Sequence, residues 1–205
     1  MKISFAITVC NELTEIKRLV SFLMDYKRPQ DEIVILYDEN NGDARISDFL
    51  LPLNKLPNVQ TWRGSFDNNF AEWKNLLNSY CKGDFIVSID ADEMIDRYLI
   101  ENLPSIIELN PDIDLIFVPR INTVSGLTEE HVKMWGWNVN DKGWINFPDF
   151  QGRIHRSNMI WHGKVHERII GGEKFSSLPL SEEYCIQHHK DIIRQEKQNN
   201  FYKTI

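Results

Sequence analysis

Asp90, Asp92, Glu93 and Asp96 crowd together where the apolar run of FIVSIDADEMID, residues 85–96, gives out. Like charges this close repel, and each resists leaving water, so a strand ending in carboxylates makes sense when a cation sits among them. Alternation along strand and turn lets Asp90 and Asp92 point toward the same side. Two carboxylates so placed suit a hard dication, Mg²⁺ or Mn²⁺, which takes oxygen ligands and keeps positions open for water and phosphate. Held there, the dication neutralises a diphosphate leaving group. The plainer alternative is a solvated turn in which Asp92 or Glu93 caps the next helix. Farther on, Arg153 and Arg156 alternate with Ile154 and His155, which reads as one strand face. Guanidinium forks there could bind diphosphate or an anionic acceptor, or simply form surface ion pairs.

The elements that must position these groups follow from periodicity. Runs rich in Ile, Val and Phe at 3–9, 33–37, 84–89 and 114–118, with a weaker one at 58–62, read as strands. In NELTEIKRLVSFLMDYKRP, Leu13, Ile16, Leu19, Val20 and Leu23 mark one helical face, and Pro29 follows the end. In NNFAEWKNLLNSYCKGD, Phe70, Trp73, Leu76, Leu77 and Tyr80 do the same, with Gly83 as a C-cap. DRYLIENLPSIIELN is a third helical stretch, interrupted or restarted at Pro104. Strands alternating with helices, and apolar almost throughout, predict an α/β fold: a Rossmann-type, doubly wound, mostly parallel sheet. Ligands gather beyond the carboxyl ends of such strands. Here those ends are polar: Thr8 to Glu12, Asp38 to Asn41, Arg63 to Asp67 and Asp90 to Glu93. Residues 121–150, with Trp135, Trp137 and Trp144 among Gly and Asn, read as a long loop, and the tail as a polar terminal helix.

At 205 residues the chain is read as one domain, 1–205, divided at about residues 95 and 190, with a terminal helix over 191–205. Its 42% apolar and 26% charged residues are ordinary for a soluble globular protein. A net charge of −7 weighs against a nonspecific polyanion binder, although a local basic face can coexist with it. Cys10, Cys81 and Cys185 are far apart, odd in number and without a C-x-x-C pair, which fits a reduced cytoplasmic interior and removes a zinc knuckle. MKISFAITVCNEL reads as a first strand rather than a signal peptide, and no apolar stretch approaches the roughly 20 residues of a membrane span. A soluble protein, at most peripheral to a membrane, is expected.

Four segments resemble the family 2 glycosyltransferases of the A-type fold, including a bacterial subgroup that acts on surface polysaccharides. ISFAITVCNE resembles that family's opening strand and its Cys-Asn-Glu turn, and ILYDENNGD its second strand, ending in Asp. FDNNFAEWKNLLNSYCKGDFIVSIDADE resembles the stretch from the nucleotide-contacting helix into the metal-binding D-x-D motif. GRIHRSNMIWHGKVHERI resembles an Arg-rich strand followed by Trp-x-Gly-x-Val-His-Glu. The match covers roughly 1–95 and 150–190 and leaves 121–149 unaligned.

The resemblance implies a nucleotide-sugar-binding half over 1–95 and an acceptor and catalytic half over 96–190. Thr8, Asn11 and Glu12 would line the nucleoside pocket, Asp38 would meet the uracil or ribose, and Lys74 and Asn75 would face the donor. Asp90 and Asp92 would serve nucleotide and metal, with Glu93 orienting the site or the donor sugar. One late His, His188 in preference to His189, would complete the metal set, since neighbours on a strand point oppositely. Glu167 would be the general base, with His166 orienting it or touching phosphate. The alternative for Glu167 is an ion pair with Lys164 or Arg168 on a surface turn. The implied reaction is inverting transfer from a UDP-sugar or related donor to a saccharide or lipid-linked saccharide, using Mn²⁺ or Mg²⁺. Two rivals remain: transfer to a modified base in phage DNA, with Arg120, Arg153, Arg156, Lys164 and Arg168 as a basic rim, and an inactive nucleotide-sugar binder. Phosphotransferases with a strand D-x-D carry it on the first strand and followed by other residues, so they fit poorly.

Overall fold

The computed structural model describes residues 1–202. In chain order the elements are β1 (Ile3–Val9), α1 (Leu13–Tyr26), β2 (Glu32–Asp38), α2 (Ala44–Leu50), β3 (Val59–Gly64), α3 (Phe70–Tyr80), β4 (Phe85–Asp90), β5 (Glu93–Met94) and α4 (Arg97–Leu109). Then come β6 (Leu115–Ser125), α5 (Glu129–Trp135), β7 (Ile145–Arg156), β8 (Ile160–His162), β9 (Arg168–Ile170), β10 (Phe175–Ser177), β11 (Ile186–Asp191) and α6 (Ile192–Tyr202). The main sheet runs β3-β2-β1-β4-β7-β6-β11-β5, with β10 also beside β6, while β8 and β9 form a separate hairpin.

β3, β2, β1 and β4 are all parallel. Buried on both faces, β1 and β2 need apolar residues at nearly every position, which is why their runs are unbroken. One face packs on Ile16, Leu19, Val20 and Leu23 of α1 and on Leu99, Leu103 and Ile107 of α4. The other takes Trp73 and Leu77 of α3 against Ala6, Val34, Leu36 and Ile86. The expected doubly wound, mostly parallel sheet is therefore present. Its second half is mixed, since β7 runs antiparallel to both β4 and β6.

Three local expectations are corrected. Gly83 does not cap α3, whose C-cap is Cys81; a Cβ at Gly83 would lie 2.7 Å from the Ser4 nitrogen, so the glycine lets the chain pass against β1. α4 runs unbroken through Pro104, whose ring is buried. Residues 121–150 are not one long loop: β6 extends to Ser125, α5 forms the tip and β7 starts at Ile145. Trp135 stacks on His131 and tilts against Trp137, and Trp144 packs edge-on to Phe147, so these rings meet residues of their own excursion.

Candidate active site

β1 and β4 are paired so that Thr8 stands beside Asp90, and the Thr8 hydroxyl approaches Asp90 Oδ1 at 3.5 Å. Behind this pair Glu93 is fully buried. It accepts from the Asp90 backbone N–H at 3.0 Å, from Arg153 Nη2 at 2.6 Å and from Arg120 Nη1 at 3.0 Å. Glu93 thus fixes the turn and two arginines from behind, rather than presenting an open edge to a sugar. Arg153 Nη2 also reaches Asp90 Oδ2 at 3.1 Å, and Lys74 Nζ lies 3.6 Å from Oδ1. Burial alone would raise the Asp90 pKa, but the charges of Lys74, Arg153 and Arg120 outweigh it and hold this carboxyl far below the usual range. The cations that the acidic cluster demands are therefore supplied partly by the chain itself.

Asp92 faces a different set. Its Oδ2 lies 3.3 Å from His188 Nε2, 3.5 Å from Arg194 Nη2 and 3.7 Å from Lys190 Nζ. Burial pushes its pKa up, while the His188 hydrogen bond and the charges of His188 and Lys190 bring it down to about 2. Asn122 links to the other imidazole nitrogen, His188 Nδ1, through its Oδ1 at 2.8 Å. The amide nitrogen of Asn122 donates to Asp149 at 2.8 Å, which fixes the amide's orientation, so Nδ1 must carry the proton. Nε2 then faces the Asp92 carboxylate across 3.3 Å, where a proton or a metal ion would join the two. His189, by contrast, is spent on the hydroxyls of Thr123 and Ser125. Among the described residues no three His, Cys, Asp or Glu side chains gather as a ready metal cage. Asp96 stands apart as the N-cap of α4, accepting from the Tyr98 N–H at 2.7 Å.

Glu167 comes from the β8–β9 hairpin, yet it reaches α3: Lys74 Nζ donates to its Oε1 at 2.7 Å. The Lys74 ammonium also lies 4.5 Å from the centre of the Trp161 ring. Asn75 locks this arrangement, donating to the Trp161 carbonyl and accepting from the Trp161 N–H, both at 2.8 Å. With both ends of its amide engaged, Asn75 clamps β8 to α3 and does not face a donor. Gly163, at φ 103°, and His166, at φ 54°, give the connecting loop its left-handed turns. A surface groove of about 370 Å³ beside this loop is lined by Asn69, Glu72, Asn75, Trp161, His162 and Lys164.

On the other flank, Asp38 is buried and organises its own turn. It accepts from the backbone of Asn40 at 3.2 Å and of Phe66 at 3.3 Å, and from the Asn41 amide at 2.9 Å. No side chain fits at Gly42, where a Cβ would lie 2.3 Å from the Asp38 carbonyl oxygen. Glu12 accepts from the N–H groups of Cys10 and Asn11 with one oxygen and from Arg194 with the other, at 2.7 Å; the Asn11 side chain is exposed and touches Cys10 Sγ. Burial and the charges of Asp38 and Glu12 push the Cys10 thiol up to about 12, so it is no thiolate nucleophile.

Arg156 is a correction. Three residues along a strand reverse the side, and β7 runs antiparallel to β4, so Arg156 pairs with Phe85 at the start of β4 while Asp90 ends it. There it binds Asp114 at 3.0 Å and covers the Phe85 ring. The basic rim also fails to assemble, because Arg120 and Arg153 point inward to Glu93. The sequence reading missed Lys190, Arg194 and Asp149. Lys190 was accessible, since it lies two residues beyond His188 and so on the same face of β11.

A parallel sheet with carboxylates at the ends of β1, β2 and β4 and a late imidazole beside the last of them defines an A-type glycosyltransferase fold. The sequence profile of glycosyl transferase family 2 matches residues 4–169, and the chain belongs to that family. The crystal structure of S. aureus TarS 1–349 superposes with a TM-score of 0.62 at 15% identity, covering 92% of this chain and 60% of that one. TarS 1–349 in complex with UDP gives 0.64 at 14% identity over 92% and 60%, and in complex with UDP-GlcNAc 0.57 at 13% over 90% and 60%. This chain thus spans about 60% of those structures, and at such identities the likeness is one of fold. No curated protein sequence matches it. Among the described residues no helix is long and apolar enough to cross a membrane.

Proposed function

We propose that this chain transfers a sugar from a nucleoside diphosphate donor, a UDP-sugar, to a saccharide or lipid-linked hydroxyl acceptor, in one displacement with inversion. The observation that carries it is the Lys74 bridge: one ammonium lies 2.7 Å from Glu167 and 3.6 Å from Asp90, bringing the base candidate from the second half of the chain up to the donor aspartate of the first. Family membership and the UDP and UDP-GlcNAc complexes of TarS, which shares the fold, support the donor class. Glu167 takes the acceptor proton as the hydroxyl attacks. Lys74, seated over the Trp161 ring, holds that carboxylate in position. Arg153, locked by Glu93, holds Asp90 in place at the donor side. The groove beside the Glu167 loop, lined by Asn69, Glu72, His162 and Lys164, offers an acceptor sugar polar side chains.

Asp92 and His188 suit Mn²⁺ or Mg²⁺. A carboxylate and an imidazole nitrogen face the same space 3.3 Å apart, an arrangement held together by a proton or a cation between them. Bound there with water and phosphate oxygens completing its shell, the dication would supply positive charge to the departing diphosphate. Thermal unfolding with UDP, UDP-GlcNAc and other nucleotide sugars, each with and without Mn²⁺, tests the proposal. Expected is a Tm rise of several degrees for a uridine diphosphate that chelation abolishes, together with UDP release on adding acceptor. No shift with any nucleoside diphosphate would overturn the assignment.

A further inference from the structure

α6 buries none of its residues, yet it lies across the site from one flank to the other. At its start Arg194 donates to Glu12 at 2.7 Å and to Glu15 at 3.0 Å, and stands 3.5 Å from Asp92 Oδ2. At its end the Tyr202 ring packs edge-on to Phe70, 6.2 Å between centres, and lies 6.1 Å from the His166 ring. The eight residue steps from Arg194 to Tyr202 span about 12 Å of helix. Burial raises the Tyr202 phenol, and the negative charges of Asp90 and Glu167 raise it further, so the ring sits in the field of both. Between the anchors the helix is held by polar contacts: Lys190 to Gln198, Glu196 to His131 at 3.5 Å, and Gln198 to the Tyr202 hydroxyl at 2.8 Å.

We propose that α6 is an autoinhibitory strap, which in its docked state covers the diphosphate and base ends of the site and which the donor and its dication must lift. The proposal rests on the donor assignment above and concerns the regulation of that same site. Arg194 stands at the same Asp92 oxygen that His188 faces, so a dication arriving there meets a guanidinium already in place. Its other bonds hold Glu12, a residue of the nucleoside flank. A helix of 11 residues with no buried side chain has little to keep it folded or docked once those ion pairs are exchanged for solvent and ligand. Undocking is thus a local opening, drawn from the least stable end of the molecule.

Two proteins and one probe test this. A chain ending at Asp191 and the full chain carrying Arg194→Ala with Tyr202→Ala are compared with the parent for UDP binding in the presence of Mn²⁺, by calorimetry. A strap docked in about nine molecules of ten weakens apparent affinity about tenfold, so both variants are expected to bind about tenfold more tightly. In the parent, trypsin cleavage after Arg194 and Lys197 is expected to quicken when UDP and Mn²⁺ are added. Weaker binding in the double variant, or slower cleavage with ligand, would overturn the strap and make α6 part of the donor pocket. Should the shortened chain fail to unfold cooperatively, the double variant and the cleavage rates decide. If parent and variants alike bind no nucleoside diphosphate, the donor assignment itself falls and takes the strap with it. UDP that binds the parent and both variants equally sinks the strap alone.

Discussion

Two groups of buried carboxylates stand at opposite ends of the same sheet, and they are treated differently. At the amino ends, Glu32 accepts from Lys2 Nζ and Ser4 Oγ, both at 2.6 Å, and from the Lys82 N–H. Asp31 accepts from Arg28 at 2.8 Å and from the Ile3 N–H at 2.9 Å. Much of this saturation comes from backbone and short side chains that cannot move away. At the carboxyl ends, Asp90 and Asp92 are ringed by long cationic side chains, none closer than 3.1 Å and several beyond 3.5 Å. Both arrangements neutralise charge, but only the second leaves the anions exchangeable. A carboxylate saturated by backbone is structure, whereas one whose cations stand farther off can trade them for a ligand.

The sharpest break of that comparison is at Glu167. Glu167→Gln keeps the shape and removes the base, so turnover is expected to fall about 10²- to 10⁴-fold while UDP affinity changes less than about twofold. UDP release kinetics and calorimetry read the two separately; wild-type turnover would retire the base. Asp92→Asn is next. It should lower turnover by about 10²-fold and abolish the Mn²⁺-dependent part of the UDP thermal shift, and a retained shift would move the cation elsewhere.

At the opposite end of the sheet, Glu32→Gln should cost about 2–4 kcal/mol of stability in urea, because it strips a buried acceptor set of its charge. Its UDP affinity should stay unchanged. Burial would raise Glu32, but the hydrogen bonds from Lys2, Ser4 and the Lys82 N–H, with the Lys2 charge, leave it below the usual glutamate range. A depressed folded-state pKa contributes stability that is complete above the ordinary value of about 4.3 and is lost as pH falls below it. The parent should therefore lose stability on acidification below about pH 4 more steeply than Glu32→Gln does, as urea midpoints across pH 2–6 would record. The smallest effect is expected at Arg156. Arg156→Ala should cost at most about 1 kcal/mol and leave turnover within about twofold, whereas a collapse of activity would return it to the site.

The first half of the molecule was legible because its strands are buried on both faces and its parallel crossovers are regular. An unbroken apolar run ending in Asp states both the strand and the site, as at Phe85 to Asp90 and Ile33 to Asp38. The second half was less legible because its side chains are placed by pairings that leave no local mark. Nothing near Arg156 reveals that β7 runs against β4, so the sequence set it beside Arg153, whereas it pairs with Phe85 at the start of β4. The resemblance offered two neighbouring imidazoles with a preference for His188, and the strand pairing sets His188 rather than His189 beside Asn122 and Asp92. α6 was foreseen as a polar helix, but its polarity concealed its place, since the residues it meets are themselves charged.

The sequence separation of the charge partners has a consequence for how the chain is made. Arg153 follows Asp90 by 63 residues, and His188 follows Asp92 by 96. On the ribosome the acidic turn leaves the exit tunnel with Lys74 but long before Arg120, Arg153 and His188, and β4 must wait for β7 to complete its pairing. Maturation of the reaction centre thereby waits for β7 and β11 to be made, after the parallel core has had time to collapse. A nascent chain halted before β7 should hold a formed β1–β2 pair and an acidic turn still in water.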